Sequence, residues 1–222
     1  MENNIVSIKN ELVILLHGIL NSNKMLKGME QFLASHGFEV LNIDYPSTKY
    51  SIEGSMSFVK TLLDQKKLQQ FEKIHFVSFS MGGIITRALL NKYQIANLGK
   101  VVFIGTPHLG SEVADFVVKI KLLAKIFGPA IYQLACNRED TQKIMGKPYY
   151  KFGCIAGNKS FDPLGAYLIK QPSDGRVSLQ SSMLHGSKNS VILPFSHLML
   201  IYRKKVWEHV LSFILHGKFL LL

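Results

Sequence analysis

The chain has 222 residues, and 47% of them are apolar, which is enough to form one domain with a sizeable hydrophobic core and excludes a globally disordered protein. Lys and Arg number 26 and Asp and Glu number 15, so the net charge is +11 and favours anionic partners such as phosphate, acidic lipid or nucleic acid. No nucleic-acid-binding module accompanies this charge, so we expect no nucleic-acid partner and a mostly solvated basic surface.

Two cysteines, Cys136 and Cys154, are too few for a disulfide framework. The first residues show no signal-peptide pattern, and no stretch reaches the ~18 apolar residues of a spanning helix. We therefore expect a cytoplasmic protein with reduced cysteines and one domain covering residues 1–222. Neither His-x-x-x-His nor paired-cysteine spacing occurs, so we expect no metal and no cofactor. The oligomeric state is not predicted.

Short apolar runs alternate with longer helical patterns along the chain. The predicted strands are 11–17, 38–43, 73–79, 100–105, 149–156 and 188–193. The predicted helices are 21–36, 51–70, 81–93 and 198–216, with a long, mostly helical segment over 111–147 and a loop over 157–187. This alternation predicts an α/β fold in which helices flank a mostly parallel, six-stranded sheet, with the chemistry at the carboxyl ends of the strands.

The strongest functional pattern is the segment His75-Phe-Val-Ser-Phe-Ser80-Met-Gly-Gly. A strand enters Ser80 and a helix begins directly after it, which is the strand-turn-helix context of a nucleophile elbow. Gly82 and Gly83 provide the small side chains that such a sharp turn needs. Ser78 occupies the position two residues before the nucleophile, where glycine is usual.

A second pattern, His17-Gly18-Ile19, ends the first predicted strand. A His-Gly pair at this place lets a backbone N–H face a reacting carbonyl, and the elbow supplies another N–H from the residue after the nucleophile. We therefore predict an oxyanion hole formed by the N–H groups of Ile19 and Met81, with His17 and Gly18 as supporting residues.

A third pattern, Gly105-Thr-Pro-His-Leu-Gly-Ser111, follows the fourth predicted strand. Its glycine and proline residues indicate a turn at the same edge of the sheet. We expect His108 to have a structural or pocket-lining role rather than to act as a base.

These three motifs together resemble the bacterial lipase and esterase branch of the α/β-hydrolases, which also resembles the GPI-inositol deacylases. The resemblance covers roughly residues 12–197. It implies acyl-ester hydrolysis through an acyl-enzyme, by a catalytic triad in the chain order Ser, Asp, His.

The triad order places the acid after the fifth strand and the base after the sixth. Asp162 and Asp174 are the candidate acids, and Asp174 is favoured because Ser173-Asp-Gly-Arg-Val-Ser-Leu-Gln-Ser-Ser182 is similar to the acid loop of the family. His197 is the favoured base because it directly follows the sixth strand, whereas His185 precedes that strand, and His209 and His216 fall in the last helix.

The segment 111–147 combines apolar residues with Lys119, Lys121 and Lys125. A helix there has one apolar and one basic face, so the segment is either a lid over an acyl pocket that touches anionic membrane or an ordinary covering layer. The expected function is hydrolysis of carboxylic esters with apolar acyl groups. Acyl transfer with the same triad and a non-catalytic binding protein remain the alternatives.

Overall fold

The computed structural model describes residues 10–184, 187 and 189–221, and its centre is a parallel β-sheet. The strands are β1 (Glu11–Leu16), β2 (Glu39–Ile43), β3 (Lys73–Phe79), β4 (Leu98–Ile104), β5 (Phe152–Gly157) and β6 (Ser190–Leu193). Their spatial order is β2-β1-β3-β4-β5-β6. The predicted six-stranded parallel sheet is confirmed.

Helices follow the strands and pack on both faces of the sheet. They are α1 (Lys27–Ser35), α2 (Ile52–Asp64), α3 (Met81–Lys92), α4 (Glu112–Lys119), α5 (Lys121–Phe127), α6 (Ala130–Gln133), α7 (Glu139–Met145), α8 (Pro163–Leu168), α9 (Leu179–Ser182), α10 (Met199–Tyr202) and α11 (Lys204–His216). Single 3₁₀ turns cover Asn23–Leu26 and Leu68–Gln70. Within the described part of the chain, none of these helices combines the length and apolarity needed to cross a bilayer.

The predicted long helical segment over 111–147 consists of four shorter helices, α4 to α7. Gly128, with φ 79°, and the following Pro129 separate α5 from α6, because neither residue fits the interior of a helix there. Ile120, with φ −108° and ψ 97°, separates α4 from α5. This segment is therefore a cluster of short helices rather than one amphipathic helix.

Other boundaries also differ from the prediction. The helix predicted over 51–70 ends at Asp64, because the residues that follow are polar and exposed and give no face to bury. The predicted last helix is interrupted at Arg203, whose backbone is extended with φ −90° and ψ 121°. The predicted start of the sixth strand at Lys188 lies outside the described residues.

The strands are buried on both faces, which explains their nearly continuous apolar sequences. Ile14 and Phe76 belong to a core cluster shared with α2 and α3 on one face of the sheet. Val13 and Val77 belong to a second cluster, shared with α1 and α11, on the other face.

The register of the central strands aligns their carboxyl ends. Leu16 of β1 pairs with Ser78 of β3, and Phe79 of β3 pairs with Ile104 of β4. The loops that follow these strands therefore begin at one edge of the sheet, and this edge contains the predicted site residues.

Candidate active site

Ser80 lies at the junction between β3 and α3. Its backbone has φ 53° and ψ −124°, which is a strained conformation for a residue with a side chain. The Ser80 N–H donates to the carbonyl of Ile104 at 2.9 Å, and the Ser80 carbonyl accepts from the N–H of Gly83 at 2.9 Å. These bonds hold the strained turn, and the serine lines a cavity at the end of β3.

The two glycines of the elbow let α3 approach the sheet closely. A Cβ atom on Gly82 would lie 2.5 Å from the carbonyl oxygen of Leu16, and a Cβ atom on Gly83 would collide with the side chain of Thr106. Larger residues would push the helix away from the sheet and distort the turn at Ser80.

Ser78 takes the position where the elbow motif usually has glycine. Its hydroxyl lies 2.6 Å from the hydroxyl of Thr86 in α3, and both residues are fully buried. The extra side chain is therefore accommodated by a hydrogen bond that connects β3 to α3.

Gly18 follows β1 and lies directly against the elbow. A Cβ atom on Gly18 would lie 3.1 Å from Cβ of Ser80, so a larger residue would press against the elbow. Ile19 lines the same cavity as Ser80, and the backbone N–H of Met81 is in the first turn of α3, where N–H groups have no partner within the helix. Met81 directly follows Ser80 in the chain and Ile19 shares its cavity, and the assignment of their N–H groups as oxyanion donors stays a prediction.

His197 and Asp174 form a buried pair. Nδ1 of His197 lies 2.7 Å from Oδ2 of Asp174, and the backbone N–H of His197 donates to the carbonyl of Asp174 at 2.9 Å. Since an ionised carboxylate can only accept, Nδ1 carries the proton and Nε2 is left as an acceptor. Asp174 Oδ1 accepts from the N–H groups of Arg176 and Val177 at 2.9 and 2.8 Å, so the carboxylate is fixed by several bonds.

The ring of His197 is also fixed by its apolar neighbours. The Phe79 ring centroid lies 4.7 Å from that of His197, and a Cβ atom on Gly105 would lie 3.2 Å from the imidazole. His197 and Ser80 line the same cavity, and each is 8% exposed.

The alternative acid, Asp162, is in a different environment. Its side chain accepts from the N–H of Leu164 at the start of α8, and its carboxylate pairs with Arg176 at 2.9 Å. Asp162 therefore caps a helix, while Asp174 contacts the imidazole of His197.

His108 is fully buried. Its Nδ1 accepts from the guanidinium of Arg87 at 3.3 Å, and burial together with this positive charge lowers its pKa well below the ordinary value. This agrees with the structural role that we expected. His209 and His216 lie in α11, and His185 falls outside the described residues.

A mainly apolar cavity of about 280 Å³ opens beside Ser80 and His197. Much of its wall comes from the insert between β4 and β5. The insert residues that line it are Val113, Ala114, Val117, Phe127, Ile131 and Leu134.

Hydrogen bonds connect different parts of the insert to one another and connect the insert to α2. The carboxylate of Asp115 accepts from the N–H of Cys136 at 3.0 Å. The side chain of Gln133 accepts from the N–H of Ile52 at 2.7 Å and donates to Glu53 at 2.8 Å. The cavity wall is thus connected to the start of α2.

The sequence patterns did not indicate a role for Tyr45 or for Arg176. Tyr45 stacks on His17 with ring centroids 4.2 Å apart and donates its hydroxyl proton to the His17 carbonyl at 2.5 Å. Arg176 contributes to the cavity wall. Its position in the sequence could have indicated a role for Tyr45, because it follows β2 at the same edge of the sheet as the other motifs.

Comparisons with known proteins agree with this architecture. The yeast Saccharomyces cerevisiae protein Triacylglycerol lipase 2 is 27% identical over 202 residues, which are 78% of this chain, and the match spans 61% of the yeast protein. The mature lipase BlEst2 of Bacillus licheniformis superposes with a TM-score of 0.67 at 22% identity, covering 88% of this chain and 87% of that one. The esterase EaEST of Exiguobacterium antarcticum gives a TM-score of 0.64 at 16% identity, covering 93% and 92%.

The expected α/β-hydrolase fold and the lipase and esterase resemblance are thereby confirmed. The family model described as palmitoyl protein thioesterase matches residues 12–152. This match covers well over half of the chain, and the protein therefore belongs to the palmitoyl protein thioesterase family.

Proposed function

We propose that the protein is a serine hydrolase of carboxylic esters, with Ser80 as nucleophile, His197 as base and Asp174 as the orienting acid. The observation that carries this proposal is the buried Asp174–His197 pair, whose imidazole lines the same apolar cavity as Ser80. The strained backbone at Ser80 supports it, because such strain collects at catalytic residues.

In this mechanism Nε2 of His197 takes the proton of the Ser80 hydroxyl as its oxygen attacks the acyl carbonyl. The N–H groups of Ile19 and Met81 donate hydrogen bonds to the carbonyl oxygen and stabilise the negative charge that develops on it. His197 then protonates the leaving group, and a water activated by the same imidazole releases the acyl group from Ser80. Asp174 keeps the proton on Nδ1 and stabilises the imidazolium that forms.

Acyl transfer would use the same groups, with an alcohol in place of water as the acceptor. A non-catalytic protein would keep the fold without the reaction. Product analysis with and without added alcohol separates the first alternative from hydrolysis, and covalent labelling of the serine separates the second.

Substitution Ser80→Ala removes the nucleophile and leaves the fold intact. We expect wild-type protein to be labelled by a fluorophosphonate at Ser80 and to hydrolyse p-nitrophenyl esters, and the variant to lose both properties. Peptide mass mapping locates the label, circular dichroism checks the fold, and Ser57→Ala on the exposed face of α2 serves as the control. A folded wild-type protein that takes no label would contradict the proposal.

Substitution Asp174→Asn tests the acid. We expect kcat to fall by about 10⁴-fold, because an amide in place of the carboxylate favours the wrong imidazole tautomer. The matched variant Asp162→Asn disturbs only a helix cap and an ion pair, so its kcat should stay close to that of the wild type. Steady-state kinetics on one ester compares the kcat values of the two variants. A larger fall in kcat for Asp162→Asn than for Asp174→Asn would show that the acid is wrongly assigned.

The lining of the cavity is the basis for the acyl group that we propose. Because the cavity of about 280 Å³ beside Ser80 is mainly apolar, we propose that it receives an apolar acyl chain. We propose that the insert is a fixed wall of this pocket, because hydrogen bonds from Gln133 attach it to α2.

A p-nitrophenyl ester series from acetate to palmitate tests the pocket. We expect kcat/KM to rise with chain length until the acyl chain reaches the mouth of the cavity and then to stop rising, since further methylenes find no apolar wall. Ala114→Phe fills the pocket and should move the optimum to butyrate or shorter while acetate turnover is kept. An unchanged preference for acyl chain length in this variant would mean that the acyl chain binds elsewhere. A parallel series of thioesters compares the hydrolysis of ester and thioester bonds.

We propose that the protein makes a peripheral contact with anionic membrane. Leu122 and Ile126 in α5 are 70% and 54% exposed, and Lys121 and Lys125 lie beside them on the same helix. The next residue, Phe127, lines the cavity, so this apolar and basic surface adjoins the pocket. Apolar side chains next to lysines suit the headgroup region of an anionic bilayer.

Vesicle sedimentation tests this surface. The double substitution K121E/K125E should weaken binding to phosphatidylglycerol vesicles by about tenfold or more, since each basic residue near such a surface contributes ~1 kcal/mol. The control K66E/K67E makes the same charge change just beyond the end of α2. Equal binding by both variants would reject a specific membrane-facing surface. The cytoplasmic location expected from the sequence stays a prediction.

A further inference from the structure

Arg176 is the one residue with a permanent charge among the described residues that line the cavity beside Ser80. The rest of this lining is mainly apolar, and the proposed reaction uses no cation there. The side chain of Arg176 is 49% exposed, so it lies where the cavity opens to solvent. A single charged group in an apolar pocket is typical of a residue that orients a ligand and selects among ligands.

The backbone of Arg176 is fixed on both sides. Its N–H donates to Oδ1 of Asp174 at 2.9 Å, and its carbonyl accepts from the hydroxyl of Ser111 at 2.7 Å. The other oxygen of the same carboxylate lies 2.7 Å from Nδ1 of His197. One carboxylate therefore holds both the imidazole and the main chain of Arg176, which keeps the spacing between these two residues constant.

The guanidinium of Arg176 has one ionic partner within the described part of the chain. Its Nη2 lies 2.9 Å from Oδ2 of Asp162, and both side chains are partly exposed. A guanidinium has five N–H donors arranged as a fork, so contact with one carboxylate oxygen leaves most of them available. An ion pair this close to solvent is weak, so an anionic ligand can compete with Asp162.

The proposed reaction indicates which part of the substrate lies near Arg176. His197 gives its proton to the leaving oxygen, so the alcohol part of the ester must lie beside the imidazole. The acyl chain lies against the apolar insert. Because Arg176 belongs to the loop that holds the imidazole, we place it on the alcohol side of the scissile bond.

We propose that Arg176 is a specificity-determining residue that binds an anionic group, a phosphate or a carboxylate, on the alcohol part of the ester. A planar guanidinium binds either group through two parallel hydrogen bonds. The net charge of +11 favours the approach of such a substrate. This proposal rests on the proposed function, since it names a substrate class for that site.

Three esters with the same octanoyl group test this residue. Monooctanoylglycerol is neutral, monooctanoylglycerol phosphate carries a phosphate, and octanoylglycerate carries a carboxylate. We expect wild-type kcat/KM to be higher for an anionic ester than for the neutral one, and the larger of the two gains identifies the anion. Arg176→Gln should lower this anionic-to-neutral ratio by about tenfold or more, mainly through KM, since a charge-assisted hydrogen bond is lost.

Two further variants sharpen the test. Arg138→Gln makes the same charge change at an exposed position outside the cavity lining and should keep the wild-type ratio. Asp162→Asn removes the competing carboxylate and should raise the ratio, while asparagine still caps α8. Equal rates on neutral and anionic esters in the wild type would overturn the proposal, and so would a change in the same direction in Arg176→Gln and Asp162→Asn.

Ether analogues separate this proposal from the proposed function, because they bind without being hydrolysed. We expect the octyl ether of glycerol phosphate to bind the wild type more tightly than the octyl ether of glycerol, and Arg176→Gln to reduce this difference, as measured by titration calorimetry. If Arg176→Gln fails to fold, the wild-type comparison still gives a result, and equal affinities would overturn the proposal. Preferential binding without cleavage of any ester would refute the proposed function alone.

Discussion

The left-handed backbone of Ser80 is the constraint on which the rest of the site depends. A strand that ends in such a residue and continues at once as a helix forces α3 to start within contact distance of the sheet. That closeness requires glycine at 82 and 83, and it brings the first turn of α3 against the end of β1. The close approach of Gly18 to Ser80 is part of the same packing.

The parallel strands bring the other candidate residues close to this strained turn. Because neighbouring strands end together, the residues after β1, β3 and β4 lie side by side although they are far apart in sequence. The loops after β5 and β6 are joined by two hydrogen bonds between Asp174 and His197, and the imidazole lines the same cavity as Ser80.

Much of this arrangement could be predicted from the sequence, because it depends on local patterns. Buried strands appear in the sequence as apolar runs, and the elbow appears as Ser80 with glycine at positions 82 and 83. The choice between Asp162 and Asp174 could not be made from local chemistry, since both lie in polar turns and both accept backbone N–H bonds. Only the path of the loop after β5 separates the helix cap from the partner of His197.

The stacking of Tyr45 on His17 and the division of the insert into four helices are likewise set by tertiary contacts. A strand-end tyrosine has no distinguishing neighbours in sequence. The apolar periodicity of residues 111–147 continues across Gly128, where the chain changes direction.

The attachment of the insert through Gln133 has a consequence for how the enzyme can diverge. The pocket wall is anchored to α2 and contributes no group to the proposed proton transfer. A substitution in α4 therefore alters the volume open to a ligand and leaves the strained serine and its imidazole undisturbed. If Ser80 and His197 carry out the proposed reaction, single replacements in the insert would change the range of acyl groups that fit while the rate of bond cleavage is preserved.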